Sequence, residues 1–238
     1  IYETINMTVQ PQISMVVMDQ STGYVKGIVG GRGEKTESLS LNRATDTTRQ
    51  PGSTFKVVAA YAAALDSAGM TLATTQYDAP YNYNGGKGRP VRNWNGENYQ
   101  GWTSLRRGIE QSMNIVAVKT ITDITPALGI NYLKNMGITT MQEELKNGKN
   151  DYTQAMVLGG ITNGVKNVEL TAAYATIANG GVYVTPYYID SIKTPFGLPT
   201  YVGYGTPGER LLKAETADAL KDIMRYTVET NYGDSMFP

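Results

Sequence analysis

An apolar run that follows a proline–glycine break constrains the fold of this chain more than any other feature. Pro51 and Gly52 end the structure before them, and residues 57–65 then contain only valine, alanine, tyrosine and leucine. The run is far shorter than the roughly 20 apolar residues that cross a membrane. It predicts a buried helix that begins at Ser53 and fades before Gly69, a glycine suited to the position after a helix.

Composition excludes several kinds of chemistry. The 238 residues include no histidine and no cysteine, which rules out disulfides, thiol catalysis and a Ser-His-Asp triad and makes a zinc site unexpected. The hydrophobic fraction of 41% is that of a globular protein, and 21 acidic residues balance 21 basic ones. Because no basic run or stripe is present, we predict no nucleic-acid partner, and we predict neither a metal nor a cofactor.

The start of the apolar helix carries the only Ser-x-x-Lys pattern in the chain, Ser53 to Lys56. Residues three apart share a helix face, so the lysine amine is expected near the serine hydroxyl, at the helix end that favours an oxyanion. Without histidine, a base for Ser53 has to be lysine, tyrosine or a carboxylate, and Lys56 needs burial or a nearby cation to lower its pKa. The residues alone leave a second interpretation open, an N-cap serine followed by a surface lysine.

Two other segments offer polar or aromatic groups. Ser112 and Asn114 lie where one helix ends and the next begins, so their side chains are expected to point into one space, although simple capping explains them equally. Residues 71–101 are rich in glycine, proline and aromatics and show little periodicity. We predict a long irregular connection, either a groove wall or a surface excursion, and assign Trp94 within it to substrate binding.

The remaining pattern is that of a mixed α and β protein. A hairpin of two mostly buried strands is predicted at 13–19 and 24–29, followed later by strands at 182–184 and 188–192. Residues 194–208 are predicted to form a turn region. Helices are predicted at 103–110, from 115 onward, at 126–136, at 168–179 with Asn167 as the cap, and at 215–229.

The order and the amino-acid sequences of several segments resemble the transpeptidase domain of class A penicillin-binding proteins, from about residue 13 to 232. The matching segments are Met18-Asp19 with Thr22-Gly23, Val29-Gly30-Gly31, Asn42-Arg43-Ala44, Arg49-Gln50-Pro51-Gly52-Ser53-Thr54-Phe55-Lys56, Ser112-Met113-Asn114-Ile115-Val116-Ala117-Val118-Lys119, Leu158-Gly159-Gly160, Glu169-Leu170-Thr171-Ala172-Ala173-Tyr174-Ala175 and Asn179-Gly180-Gly181-Val182-Tyr183. The resemblance implies an α+β fold of the β-lactamase/transpeptidase type, with an antiparallel sheet flanked by helices and an all-helical subdomain.

The same resemblance implies a D,D-transpeptidase. Ser53 is then the nucleophile that attacks the D-Ala-D-Ala end of a peptidoglycan stem peptide and is trapped by β-lactam antibiotics. Lys56 is implied to be the base, and Ser112 the hydroxyl that relays protons toward the leaving nitrogen. Asn114 is implied to orient Lys56 and the backbone of the substrate.

One departure from the family concerns its third motif, a Lys-Thr/Ser-Gly strand, which does not follow the helix at 215–229. Lys193-Thr194-Pro195 comes before that helix, and a proline is poorly suited to a central strand. We therefore expect residues to be missing at the Gly233–Asp234 junction and the C-terminal strands to be absent from this chain. The third motif is then expected either in a companion fragment or in a continuation of the chain beyond Pro238. Residues 1–12 are expected to be a linker from an absent N-terminal region, and 13–238 a transpeptidase domain incomplete at its C-terminus.

Other functions on the same fold stay open from the sequence. One is a β-lactam-binding sensor or inactive scaffold, and another is a D,D-carboxypeptidase or β-lactamase in which water replaces the acceptor amine. By resemblance, the full-length protein is expected to be extracytoplasmic and anchored in the cell membrane, with no membrane contact by this fragment.

Overall fold

A computed structural model describes residues 11–144, 148, 150–203 and 205–230. The predicted linker at residues 1–12 lies almost wholly outside the described residues, and the predicted break at Gly233–Asp234 lies wholly outside them. The described part is a mixed α and β fold in which short strands and helices alternate along the chain.

The apolar run forms the centre of the core, as predicted. The chain enters it through a 3₁₀ turn at Gly52–Thr54, continues as a π-helical segment at Val57–Tyr61 and ends as helix α1 at Ala62–Asp66. Every residue of the π-helical segment is buried, and the side chains of 58–60 and 62–64 have no exposed surface. The wide π turn was not predicted, because i→i+5 bonding leaves no distinct sequence pattern.

Among the described residues, five further α-helices surround this centre, close to the predicted ranges: α2 (Leu105–Glu110), α3 (Asn114–Ile124), α4 (Pro126–Asn135), α5 (Asn167–Ala178) and α6 (Ala214–Glu229). α3 and α4 pack on the π-helical segment, and α6 packs on α1, α2 and α5. The prediction that Asn167 caps α5 is wrong, because its amide donates to Ser14 O at 3.2 Å and to Ser14 Oγ at 3.0 Å. No helix among the described residues is both long and apolar enough to cross a membrane.

The strands of the described residues form antiparallel pairs. The pairs are β1 (Met15–Met18) with β2 (Val25–Val29), β3 (Thr75–Asp78) with β6 (Gly101–Ser104), β4 (Tyr81–Asn82) with β5 (Pro90–Val91), β7 (Val182–Tyr183) with β10 (Glu209–Arg210), and β8 (Ser191–Lys193) with β9 (Pro199–Val202). Residues 71–101 therefore hold more regular structure than their irregular sequence predicts, and the predicted turn region at 194–208 contains β9. These short strands lack the alternation that reveals a half-buried strand.

The predicted burial of the first hairpin is wrong. Met15 and Val17 of β1 are 52% and 53% exposed, and Val29 of β2 is 45% exposed. β1 packs on α5 and has one partly covered side, whereas in β2 only Val25 is buried. An apolar strand is predicted to be buried from its side chains alone, but its burial depends on what covers it.

Candidate active site

Ser53 lies on the surface in the 3₁₀ turn that begins the central helix. Gly52, just before it, has a φ of +58°, a left-handed conformation that glycine adopts without strain. Phe55 and Lys56 then have right-handed helical torsions. Ser53 and Lys56 are thus placed on one face of a helical run, as predicted, and the Ser53 side chain is exposed.

The turn before Ser53 is held by a distant part of the chain. Gln50 pairs with Ile161 through both its amide atoms, Nε2 donating to the Ile161 carbonyl at 2.5 Å and Oε1 accepting from the Ile161 N–H at 3.3 Å. Arg49 and Val165 exchange two backbone hydrogen bonds of 3.0 and 2.8 Å. A side chain at Gly159 would collide with the backbone of Gly52, so the glycine at 159 lets these segments touch.

A third contact holds Thr54, the residue after Ser53. The Tyr174 hydroxyl on α5 donates to the Thr54 carbonyl at 2.6 Å, and burial raises the pKa of Tyr174 to about 12. The phenol therefore stays protonated and can only act as a donor to that carbonyl near neutral pH. Tyr174 was part of a matching segment, but no sequence signal tied it to Ser53.

Lys56 is 2% exposed, which is rare for a lysine. Its Nζ donates to the Ser112 carbonyl at 2.5 Å and to Ser112 Oγ at 3.0 Å. Burial lowers the pKa of Lys56 to about 8, because the charged amine loses its hydration. The alternative of a surface lysine is therefore wrong, and the structure brings two of the predicted residues, Lys56 and Ser112, into direct contact.

Ser112 has a strained backbone. Its φ of +49° is left-handed, which serine adopts at a cost of about 1 kcal/mol or more. This conformation turns both the carbonyl and the hydroxyl of Ser112 toward Lys56. Because such strain concentrates at functional sites, the geometry favours a functional role over simple capping.

Asn114 is the first residue of α3, and its side chain Nδ2 donates to the Arg92 carbonyl at 2.7 Å. The hydrogen bonds of the described residues join Lys56 to Ser112 and not to Asn114, so an orienting role of Asn114 on Lys56 stays a prediction. Trp94 is 65% exposed, and its Nε1 donates to the carbonyl of Gln111, the residue before Ser112. The predicted groove residue is thus placed beside the Ser112 turn.

Two buried residues of this region were missed. Asn93 is 5% exposed and accepts from the N–H groups of Asn114 and Ile115, while Asp78 is 1% exposed and accepts from the Asn93 amide. Asn93 stands directly before Trp94 in the irregular stretch, where an asparagine is an unremarkable loop residue. Nothing local distinguishes it, because the partners of its side chain lie at least 15 residues away along the chain.

Among the described residues, the hydrogen bonds of Lys56 Nζ go to Ser112, and none joins it to Ser53 Oγ. A neutral lysine amine has two N–H donors and one lone pair. When both N–H groups donate to Ser112, the lone pair is left to accept the proton of a neighbouring hydroxyl. Lys193 and Thr194 lie in the exposed β8–β9 hairpin, where Thr194 closes the turn by accepting from Leu198 N, so this segment has a structural explanation of its own.

Comparisons with known proteins agree with the geometry. A family model described as the penicillin binding protein transpeptidase domain matches residues 13–237. Penicillin-binding protein 1A of Streptococcus pneumoniae is 30% identical over 228 residues, which cover 95% of this chain and 31% of that protein. The chain thus spans about a third of the length of the curated relatives it matches first.

Solved structures show the same fold. The crystal structure of penicillin-binding protein 1A from Haemophilus influenzae aligns with a TM-score of 0.75 at 24% identity, covering 91% of this chain and 35% of that one. The penicillin G acyl-enzyme complex of penicillin-binding protein A from M. tuberculosis aligns with a TM-score of 0.78 at 21% identity, covering 90% and 57%. The α+β transpeptidase-like fold is therefore confirmed. Since the family model matches nearly the whole chain, the protein belongs to the transpeptidase domain family of the penicillin-binding proteins, as its class A resemblance predicted.

Proposed function

We propose that this chain is the transpeptidase part of a D,D-transpeptidase that cross-links peptidoglycan stem peptides through an acyl-enzyme on Ser53. The observation that carries the proposal is the buried Lys56 amine, which donates a hydrogen bond to Ser112 Oγ. Lys56 lies on the same helical face as the exposed Ser53. Burial without a salt bridge weakens the stability of a fold, so such a lysine needs a chemical explanation.

In the first half-reaction, neutral Lys56 takes the Ser53 proton as Ser53 Oγ bonds to the penultimate D-Ala carbonyl carbon. The bond from that carbon to the terminal D-Ala nitrogen then breaks. The proton passes from the Lys56 ammonium through Ser112 Oγ, 3.0 Å away, to the leaving nitrogen. The Ser53 ester remains, and free D-Ala departs with the electron pair of the broken bond.

In the second half-reaction, an amine from a neighbouring stem peptide attacks the ester and loses a proton to the same lysine. Ser53 leaves and recovers its proton, and the new amide is the cross-link. A β-lactam enters by the first half-reaction, but its leaving nitrogen stays tethered to the acyl group. The ester therefore persists, which makes β-lactam antibiotics the inhibitors expected for this site.

The proposal also extends to the whole protein. Residues 13–238 form the transpeptidase part, 1–12 act as a linker, and a Lys-Thr/Ser-Gly strand that is not in this sequence completes the site. The substrate is peptidoglycan, so the proposed location is outside the cytoplasm, on a protein anchored in the cell membrane.

The test is an intact-mass measurement of the full-length protein with and without benzylpenicillin, followed by mapping of the modified peptide. We expect a gain of one penicillin mass on the peptide that contains Ser53. Ser53→Ala should take up none. Ser21→Ala, which changes an exposed serine in the β1–β2 turn, should label fully.

Turnover separates the alternatives. Release of D-Ala from a stem pentapeptide with formation of a cross-linked dimer supports the transpeptidase, whereas release without a dimer indicates a carboxypeptidase. A penicillin adduct with no release of D-Ala from any peptide indicates a sensor or scaffold. Labelling at a residue other than Ser53 contradicts the proposed nucleophile.

A further inference from the structure

We propose that Asp78 and Asn93 are positioning residues for this reaction, and the inference rests on the proposed function. They form a buried carboxylate–amide pair that holds the first turn of α3 and, through it, sets where Ser112 meets Lys56. Neither residue touches the reacting atoms, so the proposed effect acts on the rate of acylation and not on its chemistry.

Asn93 replaces a missing helix cap. The first N–H groups of a helix have no intrahelical partner, and the residue before α3 is Met113, whose side chain has no oxygen to accept from them. Asn93 Oδ1 does so from 20 or more residues away, accepting from the N–H of Asn114 at 2.9 Å and of Ile115 at 3.1 Å. The cap of α3 is therefore supplied by the segment that contains Trp94.

The residues on either side of Asn93, Arg92 and Trp94, also form hydrogen bonds to the turn around Ser112. The Arg92 carbonyl accepts from Asn114 Nδ2 at 2.7 Å, and Trp94 Nε1 donates to the Gln111 carbonyl at 2.9 Å. Three consecutive residues thus bond to both sides of Ser112, and we call residues 92–94 the clamp. Because Ser112 is held in a left-handed conformation, a loosened clamp lets this turn relax away from Lys56.

Asp78 decides which way the Asn93 amide faces. Its Oδ1 accepts from Asn93 Nδ2 at 2.8 Å, and its Oδ2 accepts from the Gln100 N–H at 2.8 Å. An ionised carboxylate can only accept, so it forces the amide nitrogen toward itself and the amide oxygen toward α3. With the amide turned over, two N–H donors of α3 would face an NH₂ group in a buried place, which is strongly unfavourable.

This logic predicts a reciprocal exchange. In Asp78→Asn alone, one side-chain oxygen has to accept from two donors, Asn93 Nδ2 and the Gln100 N–H. In Asn93→Asp alone, two carboxylates are buried against each other. In the double variant D78N/N93D, every partner is restored. The new aspartate accepts from both α3 N–H groups and from the new asparagine, whose oxygen still accepts from Gln100. The carboxylate then also lies at the helix N-terminus, where negative charge is favourable.

The experiment measures β-lactam acylation of the full-length protein under saturating drug, which separates the first-order rate constant from the dissociation constant of the initial complex. We expect Asp78→Asn and Asn93→Asp each to lower the first-order constant about 10- to 100-fold, since small misplacements of catalytic groups cost this much. The dissociation constant should stay within about threefold, and D78N/N93D should regain the parent rate within about threefold.

Asp66→Asn is the matched control. Asp66 is another nearly buried carboxylate, 9% exposed, with its two oxygens accepting from the Tyr132 hydroxyl and the Lys213 N–H, both at 2.7 Å. Its loss should lower the unfolding temperature and leave the first-order constant per competent site unchanged. This separates a positioning effect from a loss of stability.

Several outcomes overturn the inference. One is a single variant that acylates at the parent rate per competent site. Another is an exchanged variant that folds but stays slow, or that does not fold although its polar groups are satisfied. If the single variants do not fold, the exchanged variant alone still decides. A parent protein that does not acylate at all contradicts the proposed function instead.

Discussion

Burial sets the pKa of the Lys56 amine. Its pKa of about 8 means that about a tenth of the molecules carry the neutral amine at pH 7. Since only the neutral amine can take the Ser53 proton, we expect the first-order acylation constant to rise about tenfold per pH unit below pH 8 and to level off above it. Rapid-mixing kinetics with a chromogenic cephalosporin would measure this profile.

Lys56→Arg is the control for that profile, because a guanidinium stays charged throughout the range and should give no acylation. A rate that does not change between about pH 6 and pH 8 would contradict Lys56 as the base.

Two substitutions at Ser112 distinguish the effect of its hydroxyl from the effect of its backbone conformation. Ser112→Ala and Ser112→Gly both remove the Oγ that accepts from Lys56, but only glycine adopts a φ of +49° without strain. We therefore expect Ser112→Gly to have a free energy of unfolding about 1 kcal/mol higher than Ser112→Ala. Denaturant unfolding of both variants measures the difference.

Ser67 provides the comparison. It follows α1 with a φ of −126°, where alanine has no disadvantage, so its glycine variant should be the less stable of the two. Equal stabilities of the two Ser112 variants would show that its left-handed conformation is not a source of strain.

At the scale of elements, close helix packing outweighs helix propensity at Gly108 in α2. A Cβ there would lie 2.5 Å from Val116 Cγ1 on α3 and 3.2 Å from the Tyr61 hydroxyl oxygen. Propensity alone favours Gly108→Ala by about 1 kcal/mol, but overpacking should reverse the sign and destabilise the fold by about 2 kcal/mol. Thermal unfolding would show the loss.

Gly27→Ala in β2 is the matched substitution, because the nearest atom to its Cβ is Val17 Cβ at 3.9 Å. Its stability should stay within about 0.5 kcal/mol of the parent. A Gly108→Ala protein as stable as the parent would show that α2 and α3 can separate without cost.

At the scale of the whole molecule, the first hairpin presents an apolar surface. Met15, Val17 and Val29 are each about half exposed and lie on a sheet of two strands within the described residues. Exposed patches of this kind promote association. We expect this 238-residue chain alone to self-associate with rising concentration in sedimentation velocity, and Val17→Thr to reduce that association.

Leu39→Thr is the control, since Leu39 is fully exposed in the loop after the hairpin and should leave the sedimentation unchanged. If the parent chain stays monomeric at high concentration, the hairpin surface does not drive association.

Much of the site was predictable because its signals are local. Ser53 and Lys56 are three residues apart, and the proline, glycine and apolar run around them mark a helix start. Likewise, Pro126 begins α4 and Gly137, with a φ of +85°, follows its end. Such features depend on the preferences of neighbouring residues, which the sequence displays directly.

Other parts were not predictable because they join residues that are far apart. Gln50 meets Ile161 across 111 positions, and Asp78 meets Asn93 across 15. The exposure of the first hairpin likewise depends on which elements lie over it. Periodicity describes which side of an element is apolar, but not what that side contacts.

The residue types alone require a non-histidine base for a serine nucleophile, and local spacing already pairs Ser53 with Lys56 on a buried helix. The lowered pKa of that lysine exists only in the folded chain, because its desolvation comes from core residues brought together from distant segments. The left-handed turn of Ser112 and its clamp likewise exist only in the folded protein. The hydrogen-bond partners and the burial of a side chain depend on every residue near it in space, and its neighbours in sequence are only some of these.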